Sequence, residues 1–464
     1  MLSDTDASSV RQPKARTKKI SLSALILLSY VGAICAGAGI LMLPLSTVSG
    51  VSLIDALFTA TSAVCVTGLT VVDTGTVYTV FGQFVIMLLI QVGGLGVMTF
   101  TVVLFLYLGR KISFRQRMIM QEVFAHTPRQ DIYRVVKSIF VFTFLVEGSG
   151  ALSLFLLWIP DHSFFDSVRL AAFHSVSAFC NAGFGLFPDN FMSYRDSAVL
   201  NLTICGLIVL GGIGFPVVYD VSEHFKNAKI GRLRLSVQTK TVLTTTAFLI
   251  LAGMGLILWT ESGNVLKGVP WGERIWIALF QSVTTRTAGF NTVDIGQLTN
   301  PTLFTMMILM FWGASPGSTG GGVKTTTLAI LSSFTWSRLR RKAYVNLFKK
   351  TVPHDTLSKS VSLVVLSLGF IFTIFFLVLF SQEGLSGDVG ARGEFADYLF
   401  EVISAFGTVG LSTGVTPKLN VVGKLLIITM MLIGRVGVLT FTYIFAGVES
   451  RGGIQYAEQN LMIG

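Results

Sequence analysis

The chain reads SAVCVTGL at 62–69, SAFCNAGF at 177–184, VTTRTAGF at 283–290 and SAFGTVGL at 404–411. All four octapeptides end in glycine followed by Leu or Phe, and three open with Ser-Ala. Their glycines, Gly68, Gly183, Gly289 and Gly410, recur at intervals of 115, 106 and 121 residues. So long a repeat points to a pseudo-symmetric architecture rather than a solenoid of short units. A short apolar stretch leads into each octapeptide, at about 53–65, 168–180, 274–286 and 396–407. A dozen helical residues, at about 1.5 Å each, reach only about half the hydrocarbon depth. These stretches therefore read as re-entrant half-helices, tolerated at membrane depth only where protein or a water-filled cavity surrounds them.

The flanking sequence supplies the membrane. Of 464 residues, 52% are hydrophobic and 13% charged, with a mean hydropathy of +0.70. A soluble core that apolar would leave too few polar groups to cover its surface. Eight segments are apolar enough to span: about 22–43, 81–108, 135–159, 197–219, 241–260, 302–331, 361–380 and 424–447. The fold class expected is an all-α polytopic membrane protein of four helix, pore-loop, helix repeats with eight transmembrane helices around a central ion pore. The boundaries drawn are a basic N-terminus at 1–20, repeats at 21–110, 135–221, 240–335 and 360–448, and a tail at 449–464.

The net charge of +11 is distributed by side. The segments 1–20, 109–137, 220–240 and 336–360 and the short tail hold 25 of the 35 Lys and Arg residues but 9 of the 24 acids. That asymmetry places both termini in the cytoplasm and reads as a topology determinant rather than a nucleic-acid site. The first basic run contains Arg11, Lys14, Arg16, Lys18 and Lys19, and no small-residue cleavage site follows the first apolar run. Cys35, Cys65, Cys180 and Cys205 form no paired framework, and the five histidines show no metal-ligand spacing.

The second helices repeat as well. Gly-Gly-Leu-Gly stands at 93–96, Gly-Gly-Ile-Gly at 211–214 and Gly-Arg-Val-Gly at 434–437. In the third repeat the corresponding place holds GASPGSTGGGVKTTT, 313–327, which must break the helix at mid-membrane. Gly317 to Gly322 has the spacing of a phosphate-binding loop, but Val323 stands where lysine is required and no strand precedes it. Gly313, Ser315, Gly317, Ser318, Thr319, Gly320, Gly321 and Gly322 instead suggest a polar intramembrane loop, a natural gate beneath a filter.

A dehydrated cation needs oxygens that replace its water shell, and rings of backbone carbonyls do this for potassium. Aiming successive carbonyls at one axis needs φ > 0, which glycine adopts freely. A half-helix ending just before the filter turns its partially negative C-terminus toward the ion. The candidate filter residues are thus Val66, Thr67 and Gly68; Asn181, Ala182 and Gly183; Thr287, Ala288 and Gly289; and Thr408, Val409 and Gly410. Tight helix packing would explain any one of these glycines, but not four in register. Arg435 replaces the second glycine of the motif within an apolar span, where a cation needs a partner or a wet cavity. It is expected to contact carbonyls of the gate loop and to add a barrier to cations; a bond made purely for structure is the alternative. Lys324 is either a second gate contact or snorkels to the interface. Glu147 has no partner evident in sequence.

On the filter segments, the GSTGGGVKTTT loop and GRVG, the chain from about residue 22 onward resembles the Trk/Ktr/HKT superfamily of cation transporters. With no helix pair before the first repeat, it is most similar to the Ktr-type membrane subunit. The C-terminal Leu461-Met462-Ile463-Gly464 resembles the short hydrophobic tail of that type. The resemblance implies potassium uptake in a bacterial plasma membrane and a homodimer with one pore per protomer. It also implies a cytosolic nucleotide-binding regulatory ring on the basic face, so that nucleotide belongs to the partner, and often Na+ as activator. It assigns no covalent cofactor and no enzymatic activity. Gly320 departs from the alanine commoner in the family, which predicts a more flexible loop, and Gly68 favours potassium over the serine of sodium-selective relatives. A secondary transporter binding an organic solute at re-entrant hairpins is the competing reading. No HExxH or GxSxG motif supports an intramembrane enzyme.

Overall fold

The computed structural model describes residues 22–96, 132–226, 235–383 and 394–446. The basic runs at 1–20 and 109–131, the second half of the 81–108 span and the tail at 449–464 lie outside these residues.

One order of elements recurs four times: a long helix, a short helix, a glycine-bearing loop and a further helix. The first set comprises α1 (Leu22–Leu41), α2 (Leu53–Val64) and α3 (Val80–Gly94). The second comprises α4 (Ile132–Trp158), α5 (Phe164–Phe179), α6 (Ala198–Ile213) and α7 (Phe215–Lys226). The third comprises α8 (Val237–Thr260), α9 (Trp271–Thr284), α10 (Asn300–Phe311) and α11 (Thr325–Leu339). The fourth comprises α12 (His354–Glu383), α13 (Phe395–Gly407), α14 (Val421–Val436) and α15 (Val438–Ala446). A two-stranded hairpin, β1 (Asn346–Leu347) and β2 (Lys350–Thr351), follows α11.

Each short helix matches a predicted half-helix to within a few residues. Two of them start alike: Ser52 Oγ accepts from Asp55 N–H, and Ser163 Oγ from Asp166 N–H, each at 3.2 Å. Such caps satisfy an orphan donor of the first turn, and the carboxylates there oppose the helix dipole favourably.

The 302–331 segment is broken by the loop, as its glycines predict, whereas the reading of 197–219 and 424–447 as unbroken helices is corrected. Among the described residues four helices are long and apolar enough to cross a membrane, or five if the pair α6–α7, bent by 95°, counts as one. The break falls at the last glycine of the repeated tetrapeptide: Gly214 has φ +97° and Gly437 φ +94°, with Gly96 at +84°. A left-handed residue ends an α-helix, and glycine takes that conformation without a Cβ penalty. The apolar run continues through the break, so hydropathy alone does not see it.

Packing is circular. The second helix of each set lies against the short helix of the next: α3 on α5, α6 on α9, α10 on α13, and α14 back on α2. Polar links mark two of these joints. Arg169 Nη1 donates to Gln83 Oε1 at 2.9 Å, and Lys424 Nζ pairs with Asp55 Oδ1 at 2.7 Å. Side chains facing the ring are buried, whereas Phe165, Phe248 and Trp259 on the outside are exposed at 83%, 67% and 76%. Apolar groups this exposed suit a lipid surround. At the end of α8, Glu261 accepts from Thr299 N–H, from the Thr299 and Thr302 hydroxyls and from the Asn264 amide. Burial alone would raise its pKa, but these hydrogen bonds outweigh it and hold the carboxyl below the ordinary glutamate value.

Candidate ion pathway

In sets one and two the short helix ends two residues before a left-handed residue. In every set a non-glycine residue stands at positive φ two positions before the filter glycine: Val66 (+57°), Asn181 (+61°), Thr287 (+68°) and Thr408 (+50°). The glycines follow at +93°, +68°, +81° and +91° for Gly68, Gly183, Gly289 and Gly410. Two left-handed residues separated by one turn successive carbonyls to one side. For Val, Thr and Asn this conformation costs about 1–3 kcal/mol each, so the surroundings must over-determine it. Hydrogen bonds do so. Thr67, Ala182 and Val409 donate back to Ser62 O, Ser177 O and Ser404 O at 2.8, 2.7 and 2.8 Å. Gly68 N–H and Gly410 N–H donate to Ser62 Oγ and Ser404 Oγ at 3.0 and 3.1 Å. In the other two sets the hydroxyl bonds the carbonyl after the glycine, Ser177 to Phe184 O at 2.8 Å and Thr284 to Phe290 O at 2.6 Å.

The segments meet in sequence order and close on themselves. A Cβ on Gly68 would run into Ala182 O, one on Gly183 would lie 2.8 Å from Ala288 O, one on Gly289 would run into Val409 O, and one on Gly410 into Thr67 O. All four glycines line one open vestibule of about 200 Å³, together with Asp73, Asp189 and Asn190. Anionic carboxylates at such a mouth raise the local concentration of cations.

Each short helix also holds the chain that leaves the filter. His174 Nε2 accepts from Leu186 N–H at 3.1 Å, Tyr78 OH donates to Thr59 Oγ1 at 3.1 Å, and Gln281 Nε2 donates to Thr292 Oγ1 at 3.4 Å. Glu401, only 1% exposed, accepts from Ser412 Oγ at 2.6 Å, Thr413 N–H at 3.1 Å and Thr416 Oγ1 at 2.6 Å. Sequence reading missed these braces, since nothing in the octapeptides marks a partner eight or nine residues upstream of the glycine. Removing a buried acceptor of three donors costs about 2–4 kcal/mol. Glu401→Ala is therefore expected to lower the midpoint of thermal unfolding in detergent, and an unchanged midpoint would show the brace to be idle.

Beneath the glycines lies the loop at 312–324. It is pinned at both ends by a parallel bridge of Trp312 with Val323 and against set two by Ser315 N–H to Gly212 O at 3.1 Å and Thr319 N–H to Gly211 O at 3.3 Å. Gly317 O accepts from Phe215 N–H at 3.0 Å, where α7 begins. The gate residues named from sequence therefore share one place. Arg435 Nη1 donates to Thr319 O and Nη2 to Gly93 O, so one guanidinium joins α14, the loop and α3. Lys324 Nζ donates to Gly320 O at 2.8 Å and Gly321 O at 3.3 Å, so its ammonium lies on the loop. Gly320 is closely packed, because a Cβ there would run into Thr287 Oγ1 and lie 2.6 Å from Ala314 Cβ.

Two buried ionisable side chains stand beside the candidate pathway. Glu147 accepts from Gln91 Nε2 at 3.2 Å and lies 3.8 Å from Cys180 Sγ, with no basic side chain within 4 Å among the described residues. Arg286, in the third octapeptide and unremarked from sequence, is 6% exposed, with Nη1 unpartnered among the described residues. The four cysteines are free, and no His, Cys, Asp or Glu cluster suited to a metal occurs among the described residues.

Known proteins resemble this chain in sequence and in fold. Over residues 31–452 the chain matches the family model TrkH, described as cation transport protein. It is 40% identical over 442 residues to Ktr system potassium uptake protein B of Vibrio alginolyticus, covering 95% of this chain and 94% of that one. The same protein of Bacillus subtilis is 40% identical over 432 residues, covering 92% and 93%. Potassium/sodium uptake protein NtpJ of Enterococcus hirae is 36% identical over 453 residues, covering 96% and 98%. The crystal structure of the potassium transporter TrkH from Vibrio parahaemolyticus superposes with a TM-score of 0.71 at 19% identity, covering 94% of this chain and 86% of that one, a likeness of fold. A helical membrane chain whose glycine-bearing loops meet in a ring, matched over nine-tenths of its length, belongs to the TrkH family of cation transport proteins.

Proposed function

We propose that this chain takes up potassium across the cell membrane through a filter of backbone carbonyls. The ligands are those of Val66–Gly68, Asn181–Gly183, Thr287–Gly289 and Thr408–Gly410, in four pseudo-symmetric units that cross the bilayer eight times. One observation carries the reading: the four glycines approach one another in a closed cycle, each against a carbonyl of the next segment. Such a ring offers a cation uncharged oxygens from all sides, strong enough to replace water and weak enough to release it. The short helices point their C-terminal ends at the ring, which suits a cation and not the anionic substrate of a hairpin transporter.

The loop at 313–324, held by Lys324 and Arg435, is the gate, and their charges oppose cations while it is closed. Relatives named as potassium uptake proteins support the ion, and one named for potassium and sodium leaves room for Na+ as activator. A homodimer with both termini cytoplasmic, regulated by a cytosolic nucleotide-binding ring on the basic face, completes the proposal; the Ktr system names of two relatives favour a partner subunit.

The test is cation flux in liposomes. Wild type is expected to pass potassium in preference to sodium, and Gly183→Ser to lose that preference by about tenfold, since a side chain at φ +68° beside Ala288 O must displace a ligand. Equal potassium and sodium flux in wild type, or unaltered selectivity in the variant, would sink the filter.

A further inference from the structure

Among the described residues two hydrogen bonds join the loop to the octapeptides, Thr319 Oγ1 to Phe179 O at 3.4 Å and one to a candidate filter residue itself. Thr408, fully buried and left-handed, accepts at Oγ1 from Gly321 N–H at 2.9 Å. The equivalent side chains do something else. Val66 has no acceptor, and Asn181 bonds Thr287 Oγ1 at 3.3 Å in either orientation of its amide. Thr287 packs against Gly320 so closely that no Cβ fits between them. Two of these four residues, Thr287 and Thr408, thus lie directly against the loop, and Thr408 is bonded to it.

We propose that Thr408 is a positioning residue that latches the gate loop closed against the base of the filter, so that releasing the loop and freeing the filter's inner hydroxyl are one event. The proposal rests on the gate reading of this loop. The chemistry suits a latch rather than a rivet. Closed, the bond satisfies a buried N–H that has no helix or strand partner; open, that N–H meets water, so little is lost on release. Thr408→Val keeps the shape and removes the acceptor, which penalises the closed state alone. Gly321→Ala attacks the same contact from the loop, because a Cβ there would lie 2.5 Å from Thr408 Oγ1 and 2.8 Å from its Cγ2.

The experiment is potassium flux from liposomes with no stimulus applied, measured beside Arg435→Ala. Thr408→Val is expected to raise this resting flux about fivefold. Thr408→Ser, which restores the hydroxyl, should bring it back toward wild type, and Gly321→Ala should raise it as well. Equal resting flux in Thr408→Val and Thr408→Ser would show the hydroxyl to be irrelevant and overturn the latch. If Arg435→Ala leaks while Thr408→Val does not, the latch fails and the gate stands. When neither leaks, the gate reading has failed and takes the latch with it. Should Thr408→Val not fold, Gly321→Ala decides: a wild-type resting flux there refutes the proposal.

Discussion

Gly410→Ala is expected to cut potassium flux through the reconstituted protein by about tenfold or more, because two penalties coincide at this residue. Gly410 has φ +91°, which an alanine adopts only at a cost of about 1–2 kcal/mol. Its Cβ would also run into Thr67 O and lie 2.9 Å from Gly68 Cα, so the first segment must shift with it. A displaced carbonyl is a lost ligand, and the ring passes the displacement on to its neighbours. Gly414→Ala separates the two penalties. Gly414 has φ +92°, but a Cβ there would meet nothing within 4 Å, so only strain is added. That variant should lose stability and keep most of its flux. Radiotracer uptake into liposomes at matched protein content makes the comparison, and a Gly410→Ala protein with wild-type flux would refute the role given to the ring.

Arg435→Ala is expected to move flux the other way, raising resting potassium leak by about tenfold or more. Its two donated hydrogen bonds join the loop at Thr319 O to α3 at Gly93 O. Charge-assisted bonds of this kind are worth about 1.5–3 kcal/mol each, and losing only part of that in the closed state suffices for a tenfold shift. The guanidinium also places a positive charge beside the path, which an alanine removes. Arg435→Lys keeps the charge but cannot fork between two carbonyls, so an intermediate leak is expected. Leak at wild-type level in Arg435→Ala would mean that the arginine is bonded for structure alone.

The octapeptides made the most consequential geometry legible. Glycine followed by Leu or Phe, recurring after short apolar stretches, located four half-helices and the ring they feed. The same pattern hid the left-handed residue two positions earlier, because Val66, Asn181, Thr287 and Thr408 share no chemistry and their φ is imposed by the hydrogen bonds around them. Polar residues in the third repeat marked the loop, and the lone arginine marked its holder. The breaks at Gly214 and Gly437 were not legible, since an apolar run reads the same whether continuous or broken; the repeated fourth glycine was the available signal. Long-range partners were out of reach for a different reason. The Thr408 contact with Gly321 depends on which helices become neighbours, and only the circular packing decides that, whereas the Glu401 brace forms within its own set once the chain turns back past the short helix.

That the ring is built from one polypeptide has a consequence for how its properties can change. In an assembly of four identical subunits, any altered codon changes every quarter of the ring at once. Here Val66, Asn181, Thr287 and Thr408 are separate letters of one gene product, and a mutation doses the ring in single quarters. Under the filter and gate roles proposed above, selectivity can then drift in small increments, and the quarter bonded to the loop can be shaped for control while the other three are kept for passage.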